Sequence, residues 1–305
     1  MLSNEDRSFV CHALFLEEYF GGGVSVNRLS ETDFAYFSRF LKENSEIVLA
    51  IDKEYLVDTR LSPIQKKLGL ASLSDLICKL RHEPFGALHN EVIEAMTTNE
   101  TYFFRDVKPF EALRNEVLPE LIKARSAKRS LSIWSAACSS GQEAYSIQMI
   151  LKDSFPNLVN WNTRLLCTDL SQEMVGRTLQ GRFTQLEVNR GLPAQMLVKH
   201  FQKVENDWQV KPDLKVGIEA KVMNLAKPWP PLPVMDVVFL RNVLIYFDLE
   251  AKSQILGRVA KVLAPDGILF LGGSETTLNI SNDYERRGNS ETSYYVLKTA
   301  KSHSA

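Results

Sequence analysis

Cysteine is scarce in this chain, four residues among 305, and histidine is hardly commoner at five. Cys11, Cys78, Cys138 and Cys167 form no CxxC pair, and no histidines cluster beside them. That argues against a metal site and against a disulfide framework, and it points to a reducing cytoplasm. Long apolar runs are also missing. Nothing approaches the roughly 18 residues a membrane span needs. The opening MLSNEDRSFV is acidic where a secretory signal carries positive charge. Charge of one sign is absent as well. Lys and Arg number 36, Asp and Glu 37, and the net charge is −1, so no global basic field favours nucleic acid. The GxGxxG and GxxxxGK[ST] phosphate-binding loops do not occur.

Apolar and aromatic residues are in good supply, at 45% and 10%, which excludes a wholly disordered chain. The length allows two domains of roughly 100–200 residues each. The first third reads as helices. Ser30-Glu31-Thr32-Asp33 has the form of a capping box, with Phe34, Phe37 and Leu41 following at helical spacing. Ser72-Leu73-Ser74-Asp75 repeats the device. Further helices are predicted from about Phe85 to Met96 and from Pro109 to Lys123, with another over residues 4–20, stopped at Gly21-Gly22-Gly23. Beyond Arg129 short apolar runs alternate with helix-length segments. The runs are Leu131–Ser135, Arg164–Thr168, Glu219–Met223, Met235–Leu240, Ile268–Leu271 and Tyr294–Leu297. Such alternation predicts an α/β fold, a parallel sheet covered on both faces. Residues 200–225 differ, and could form a small antiparallel excursion.

Four segments carry chemistry. In the first, Trp134 leads through the small residues Ser135 to Gly141 into a helix beginning Gln142-Glu143-Ala144-Tyr145. Turns at the carboxyl ends of parallel strands are where α/β sheets bind ligands, and small side chains admit close backbone approach. A nucleotide-like ligand without polyphosphate fits; so does a tightly packed strand–helix turn. In the second, a strand ends at Asp169, 28 residues after Gly141. An acid there can accept ribose hydroxyls or cap the next helix. In the third, the apolar run to Leu240 meets Arg241-Asn242, with Tyr246 four residues beyond Asn242. In the fourth, Thr98-Asn99-Glu100-Thr101 precedes Tyr102-Phe103-Phe104 and Arg105. Binding contacts or local capping would both explain these last two.

In this order the segments TTNETYFFRD, WSAACSSGQEAYSI and FLRNVLIYFD resemble the chemotaxis receptor methyltransferases, the CheR family, and LFLGGSE and SYYVLK resemble its closing segments. The resemblance runs from about Glu31 to Lys298. It implies a class I methyltransferase, a Rossmann-like doubly wound sheet with a small antiparallel β subdomain at about 200–222, within a domain of residues 109–305. It implies an all-helical domain at 31–108, preceded by an extension at 1–30 with no assigned role. S-adenosylmethionine (SAM) is the implied methyl donor, leaving S-adenosylhomocysteine. The implied acceptor is a glutamate on the cytoplasmic helices of a bacterial chemoreceptor. Matched by motif, Asn99, Thr101, Arg105, Glu143, Asp169, Asn224, Leu225, Arg241 and Asn242 are cofactor contacts. By the same match, Arg105 and Tyr246 correspond to the residues proposed to lie nearest the transferred methyl group. Arg105 could equally anchor the cofactor's own carboxylate. Gln142 and Ala144 stand where the family often has Glu and Pro, and Gly273 where a His is common.

A carboxylate acceptor needs no general base, since a glutamate with a pKa of about 4.3 is ionised at neutral pH. Neither a Ser/His/Asp triad nor a metal is expected. Receptor helices are acidic, so a basic face should dock them. Arg60, Lys66 and Lys67 are the candidates, on one helix if Pro63 does not interrupt it; a solvated mixed-charge surface is the alternative. Some family members also hold a receptor's C-terminal pentapeptide through a glycine-bearing loop of the β subdomain. Here the connection is Glu205-Asn206-Asp207, without glycine, so no tether is expected. The resulting expectation is a soluble, monomeric, cytoplasmic enzyme with neither nucleic-acid binding nor membrane insertion. A small-molecule O-methyltransferase and a non-catalytic SAM-binding regulator are the competing readings.

Overall fold

The computed structural model describes residues 29–49, 53–288 and 293–298. The expected N-terminal helix over residues 4–20 lies outside the described residues. The helical layer begins with α1 (Glu31–Ser45), whose N-cap Ser30 accepts a hydrogen bond from the Asp33 amide. It continues through α2 (Glu54–Lys67), α3 (Leu73–His82) and α4 (Ala87–Ala95). Ser72 and Asp75 form the reciprocal capping box that their spacing predicts. Pro63 sits inside α2 without ending it. Phe37, Leu41, Leu61, Leu76, Ile77 and Val92 form the buried centre of this layer.

The helix expected over 109–123 occurs in two parts. α5 (Lys108–Ala112) and α6 (Leu118–Ala124) are joined by a π turn at Leu113–Val117. Pro119 explains the irregularity: it lacks an N–H, and its ring would crowd the carbonyl four residues back. Widening the preceding turn, with the Leu118 amide bonded to the Leu113 carbonyl, relieves that crowding.

The large sheet is built from β1 (Ser130–Ala136), β2 (Asn162–Asp169), β6 (Ile218–Val222), β7 (Met235–Leu240), β8 (Leu263–Leu271), β9 (Tyr284–Gly288) and β10 (Ser293–Leu297). Their order is β6-β2-β1-β7-β8-β10-β9. The first five run parallel, and β10 is antiparallel to both its neighbours. Every residue of β7 is buried, the mark of a central parallel strand covered on both faces. α7 (Gln142–Ser154) helps cover one face and α11 (Leu249–Val262) the other. The alternation of apolar runs and helices thus produced the predicted doubly wound sheet; the expected runs omitted β9.

The small sheet corrects the expected excursion at 200–222. Its order is β3-β5-β4, from β3 (Arg182–Phe183), β4 (Phe201–Val204) and β5 (Asp207–Val210). The third strand comes from upstream, after α8 (Gln172–Gln180), while Ile218–Val222 joins the large sheet beside β2. The helices α9 (Gln185–Asn189) and α10 (Ala194–His200) lie within this insertion. Phe103 reaches into its core, with ring centroids 5.0 Å from Phe183 and 5.7 Å from Phe201. The backbone closes on Phe103 too: a Cβ at Gly191 (φ +85°) would lie 2.0 Å from its carbonyl oxygen.

Gly191→Ala should therefore lower stability by more than about 1 kcal/mol. Gly176→Ala, in α8 with nothing within 4 Å of the added methyl, should raise it by about 0.5–1 kcal/mol. Urea denaturation midpoints measure both. An unchanged midpoint for Gly191→Ala would contradict the close packing of the 99–107 segment.

Candidate active site

The carboxyl ends of β1, β2, β6 and β7 open into one cleft, and the helical layer supplies its far wall. The cleft measures about 960 Å³, including space open to solvent, at the upper end of ordinary ligand pockets. Ser45 and Ile47 come from the end of α1, Met96 to Thr101 from the segment after α4, and Ala137 to Ser139 from the turn after β1. Asn99, Thr101, Arg105, Glu143, Asp169, Asn224, Leu225, Arg241, Asn242 and Tyr246 all line it. Residues scattered through five segments of the sequence thus meet in one place.

The β1 turn is shaped by backbone. Ala137, Ser139 and Gly141 have φ of 56°, 50° and 97°. A Cβ at Gly141 would stand 2.9 Å from Thr178 Oγ1, so glycine permits α8 to press against the turn. Gln142 is buried and accepts a hydrogen bond from Ser140 Oγ at 2.8 Å. A glutamate there would bury a second charge beside Glu143, so the neutral residue suits this packing.

Asp169 ends β2, as its position predicted. Its Oδ2 accepts the Ser139 amide at 2.8 Å and its Oδ1 the Ser171 amide at 3.0 Å. The first bond ties the carboxylate to the β1 turn. Burial raises its pKa above the ordinary aspartate value, the amides of Ser171 and Ser139 pull the other way, and nearby Glu94 adds to the rise. A carboxylate offers about four acceptor sites, so capacity remains for hydroxyl groups in the cleft.

Arg241, at the end of β7, is buried and forms the site's principal ionic contacts. Its Nη1 donates to Glu143 Oε2 at 2.9 Å. Its Nη2 donates to Asp106 Oδ2 at 2.8 Å and to the Arg105 carbonyl at 2.7 Å. Glu143 Oε1 also accepts from Ser135 Oγ at 2.7 Å. Both Glu143 oxygens are therefore engaged with protein, although the residue lines the cleft. Arg241 Nε is buried with no partner among the described residues, leaving a donor for a ligand. Asp106 is a site residue that the motifs did not single out.

The three aromatics after Thr101 separate. Tyr102 carries Arg190 and Arg105 over its ring, Phe103 enters the small sheet's core, and Phe104 packs on Phe110. Phe104, Asp106 and Val107 have φ of 52°, 67° and 45°, so the chain between the layers is contorted. Arg105 itself donates to the Glu100 carbonyl at 2.7 Å. Asn224, expected as a cofactor contact, donates its side-chain amide to the Asn44 carbonyl at 2.8 Å and accepts the Ala226 amide at 2.8 Å. It lines the cleft while joining the two layers. Tyr246 lies in a short 3-10 turn (Leu244–Tyr246), and its carbonyl accepts the Val48 amide at 3.3 Å.

Arg60, expected among the docking cations, is engaged within the fold. Its guanidinium donates to the carbonyls of Met96 (2.6 Å) and Thr97 (3.0 Å) and to Thr98 Oγ1 (2.9 Å). These are the carbonyls left over at the end of α4, which a cation satisfies best. Lys67 pairs with Glu91 at 2.8 Å, at the surface. Lys66 remains exposed on the same helix.

The strand order, the antiparallel β10 and the position of the cleft at the strand ends define a class I methyltransferase. The residues fit SAM: a small-residue turn and an acid at the end of β2 line one cavity, together with Arg241, whose buried Nε has no partner among the described residues. Comparison with known proteins gives the family. Residues 32–97 match the all-alpha domain of CheR methyltransferases and residues 99–293 their SAM-binding domain. The chain is 42% identical to chemotaxis protein methyltransferase 1 of Pseudomonas aeruginosa, over 84% of this chain and 94% of that protein. It is 41% identical to chemotaxis protein methyltransferase Cher2 of Pseudomonas putida, over 83% and 93%. To the chemotaxis protein methyltransferase of Vibrio parahaemolyticus it is 38% identical, over 84% and 94%. The chain belongs to the CheR methyltransferase family and is a SAM-dependent methyltransferase.

Asp169→Ala should weaken SAM binding tenfold or more by calorimetry, since charge-assisted hydrogen bonds are worth about 1.5–3 kcal/mol each. The pH dependence follows from the raised pKa. In the free protein an acid shifted upward stabilises the fold below its unfolded pKa and loses that contribution as pH rises through the folded value. Donors from a ligand favour the anion, so SAM affinity should fall on acidification, beginning above the usual aspartate value of about 3.9. Asp169→Asn should lack that limb. Unchanged affinity in a folded Asp169→Ala variant refutes the assignment.

Proposed function

We propose that this enzyme transfers the methyl group of SAM to glutamate side chains on the cytoplasmic helices of bacterial chemoreceptors. The observation that carries the proposal is the cleft itself. The helical layer and the methyltransferase sheet share it, and it brings Arg105 and Tyr246 into the cavity that holds Asp169. The chemotaxis methyltransferases to which the chain is similar match it over both layers.

The cofactor supplies an electrophilic methyl on a cationic sulfur. What this chain does is position the acceptor. A glutamate is ionised near neutral pH and attacks without a general base. Approach, alignment and removal of water from the carboxylate are then the protein's tasks. Asp169 would hold the ribose hydroxyls of the bound cofactor, with Asn99, Thr101 and Arg241 lining the same cleft. Tyr246, which lines the cleft, is placed to bond the incoming carboxylate through its hydroxyl. Arg105 steers that carboxylate by charge. The helical layer offers Lys66 for docking, whereas Arg60 acts from within by holding Met96 to Thr98. The β4–β5 hairpin supports tether-free docking: Arg182 bonds both Glu205 and Asp207, at 2.8 Å each, across the loop. A family member's peptide-binding glycine has no counterpart there.

Labelled SAM incubated with receptor-containing membranes should yield base-labile methyl esters on glutamates, located by mass spectrometry. Label confined to small molecules would refute the proposal. Tyr246→Phe should lower kcat more than it weakens SAM binding. Normal turnover would remove Tyr246 from the mechanism.

Arg60→Ala and Lys66→Ala should part company. Arg60→Ala should weaken SAM binding as well as turnover, because the Met96 and Thr97 carbonyls and the Thr98 hydroxyl lose their donor. Lys66→Ala should raise only the receptor KM, increasingly so at low salt, where screening beyond about 10 Å at 0.1 M is relaxed. Equal effects of the two on SAM affinity would contradict the division.

A further inference from the structure

We propose that Glu275, on the loop after β8, is a positioning residue for methyl transfer, its carboxylate fixing the backbone that presents Asn242 and Tyr246 to the cleft. The proposal deepens the reading above and rests on the role given there to Tyr246.

Four backbone amides converge on this one carboxylate. Oε2 accepts from Asn242 and from Gly272, each at 2.7 Å. Oε1 accepts from Val243 at 2.9 Å and Ile245 at 3.3 Å. Three of the four donors belong to the turn between Arg241 and Tyr246. The neighbouring strands β7 and β8 end in register, Leu240 beside Leu271, so the carboxylate bridges the first residues beyond both.

The turn needs such a brace. Asn242 has φ of 57°, a left-handed conformation, and helical bonding resumes only with the Tyr246 amide on the Val243 carbonyl, so the amides of Asn242, Val243 and Ile245 need another acceptor. A neutral acceptor would satisfy two of these donors; an anion with two oxygens satisfies all four. The fit extends to Gly272. A Cβ there would lie 2.7 Å from Glu275 Oε2, 2.7 Å from Asn242 Nδ2 and 2.9 Å from the Asn242 amide. The glycine is thus required by the close approach of the carboxylate and the turn. Arg241 is drawn by its side chain toward Glu143 and Asp106. The backbone that follows is drawn the other way, onto Glu275. Tyr246 leaves this doubly held turn with its position set on one side by Glu275 and on the other by the Val48 amide. The carboxylate reaches the chemistry only through that backbone.

The test uses Glu275→Gln, which keeps shape but turns an NH2 toward one pair of amides, and Gly272→Ala, which pushes the two partners apart. Full-length variants are assayed for methyl transfer to receptor-containing membranes, for SAM affinity by calorimetry and for Tm. Each should lower kcat by about 10–100-fold, the loss expected for misplacing a reacting group by about 1 Å, with receptor KM unchanged. Glu275→Gln combined with Tyr246→Phe should be no slower than the slower single variant, since the two act through one contact. Amide exchange at Asn242, Val243 and Ile245 reads the brace without any substrate: protected in the parent, fast in Glu275→Gln. Wild-type kcat in Glu275→Gln beside a slow Tyr246→Phe overturns the proposal, as do losses that multiply in the double variant. Unprotected amides in the parent also overturn it. Failure of the parent enzyme to esterify glutamates would instead refute the functional reading, while the exchange result would still decide the brace.

Discussion

A buried guanidinium organises the site. Arg241 is nearly inaccessible, 1% exposed at its side chain, and faces Glu143 and Asp106. A charge in that position is tolerable only when paired and hydrogen-bonded. The pairing joins three parts of the chain that lie far apart in sequence: the end of β7, the first turn of α7, and the contorted segment leading out of the helical layer. Remove the guanidinium and the largely buried Glu143 loses its cation, while Asp106, 40% exposed at its side chain, is left to solvent. The 99–107 segment would lose one of its ties to the sheet, the others being Ser139 Oγ to the Asn99 carbonyl, the Phe104 amide to Ser146 Oγ and the packing of Phe103.

Around this centre three carboxylates take different work because their surroundings differ. Glu143 is occupied by Arg241 and Ser135. Asp169 is met by backbone amides and buried enough that its proton is held more tightly than usual, which leaves it suited to accept from a ligand. Glu275 gathers amides from a turn. Residue type is the same or nearly so in all three; burial and the donors in reach separate binding from bracing.

The cleft belongs to both layers. Lys42 pairs with Asp248 at 2.8 Å, Asn224 bonds the Asn44 carbonyl, and Glu94 of α4 accepts the Glu173 amide at 2.9 Å at the start of α8. Arg60 extends the link from α2 to the residues just before Asn99. A receptor helix docking on the helical layer would bear on a surface whose interior contacts end in the cofactor cleft. The helical layer and the methyltransferase sheet thus form one scaffold around the cleft.

Much was written in local sequence. Capping at Ser30 and Ser72, the alternation of apolar runs with helices, and Asp169 at a strand end all follow from short-range rules: hydrogen-bond satisfaction at helix ends and burial of both sheet faces. These determined the fold class, and the motifs together determined which residues would gather in the cleft. Other features were set by contacts between distant segments. Arg60 looked like a surface cation because its spacing along α2 says nothing of the carbonyls ending α4. The small sheet took Arg182–Phe183 as a strand because Phe103 supplies a core that no local pattern announces. Glu275 closes the LFLGGSE motif, but nothing there announced its role, since three of the four amides it holds lie 30 to 33 residues away in sequence and become adjacent only when β7 and β8 pair. Local propensity acts over a turn or a strand; an ionic or backbone contact across the fold exists only after the chain has packed, and that is where tertiary structure decided.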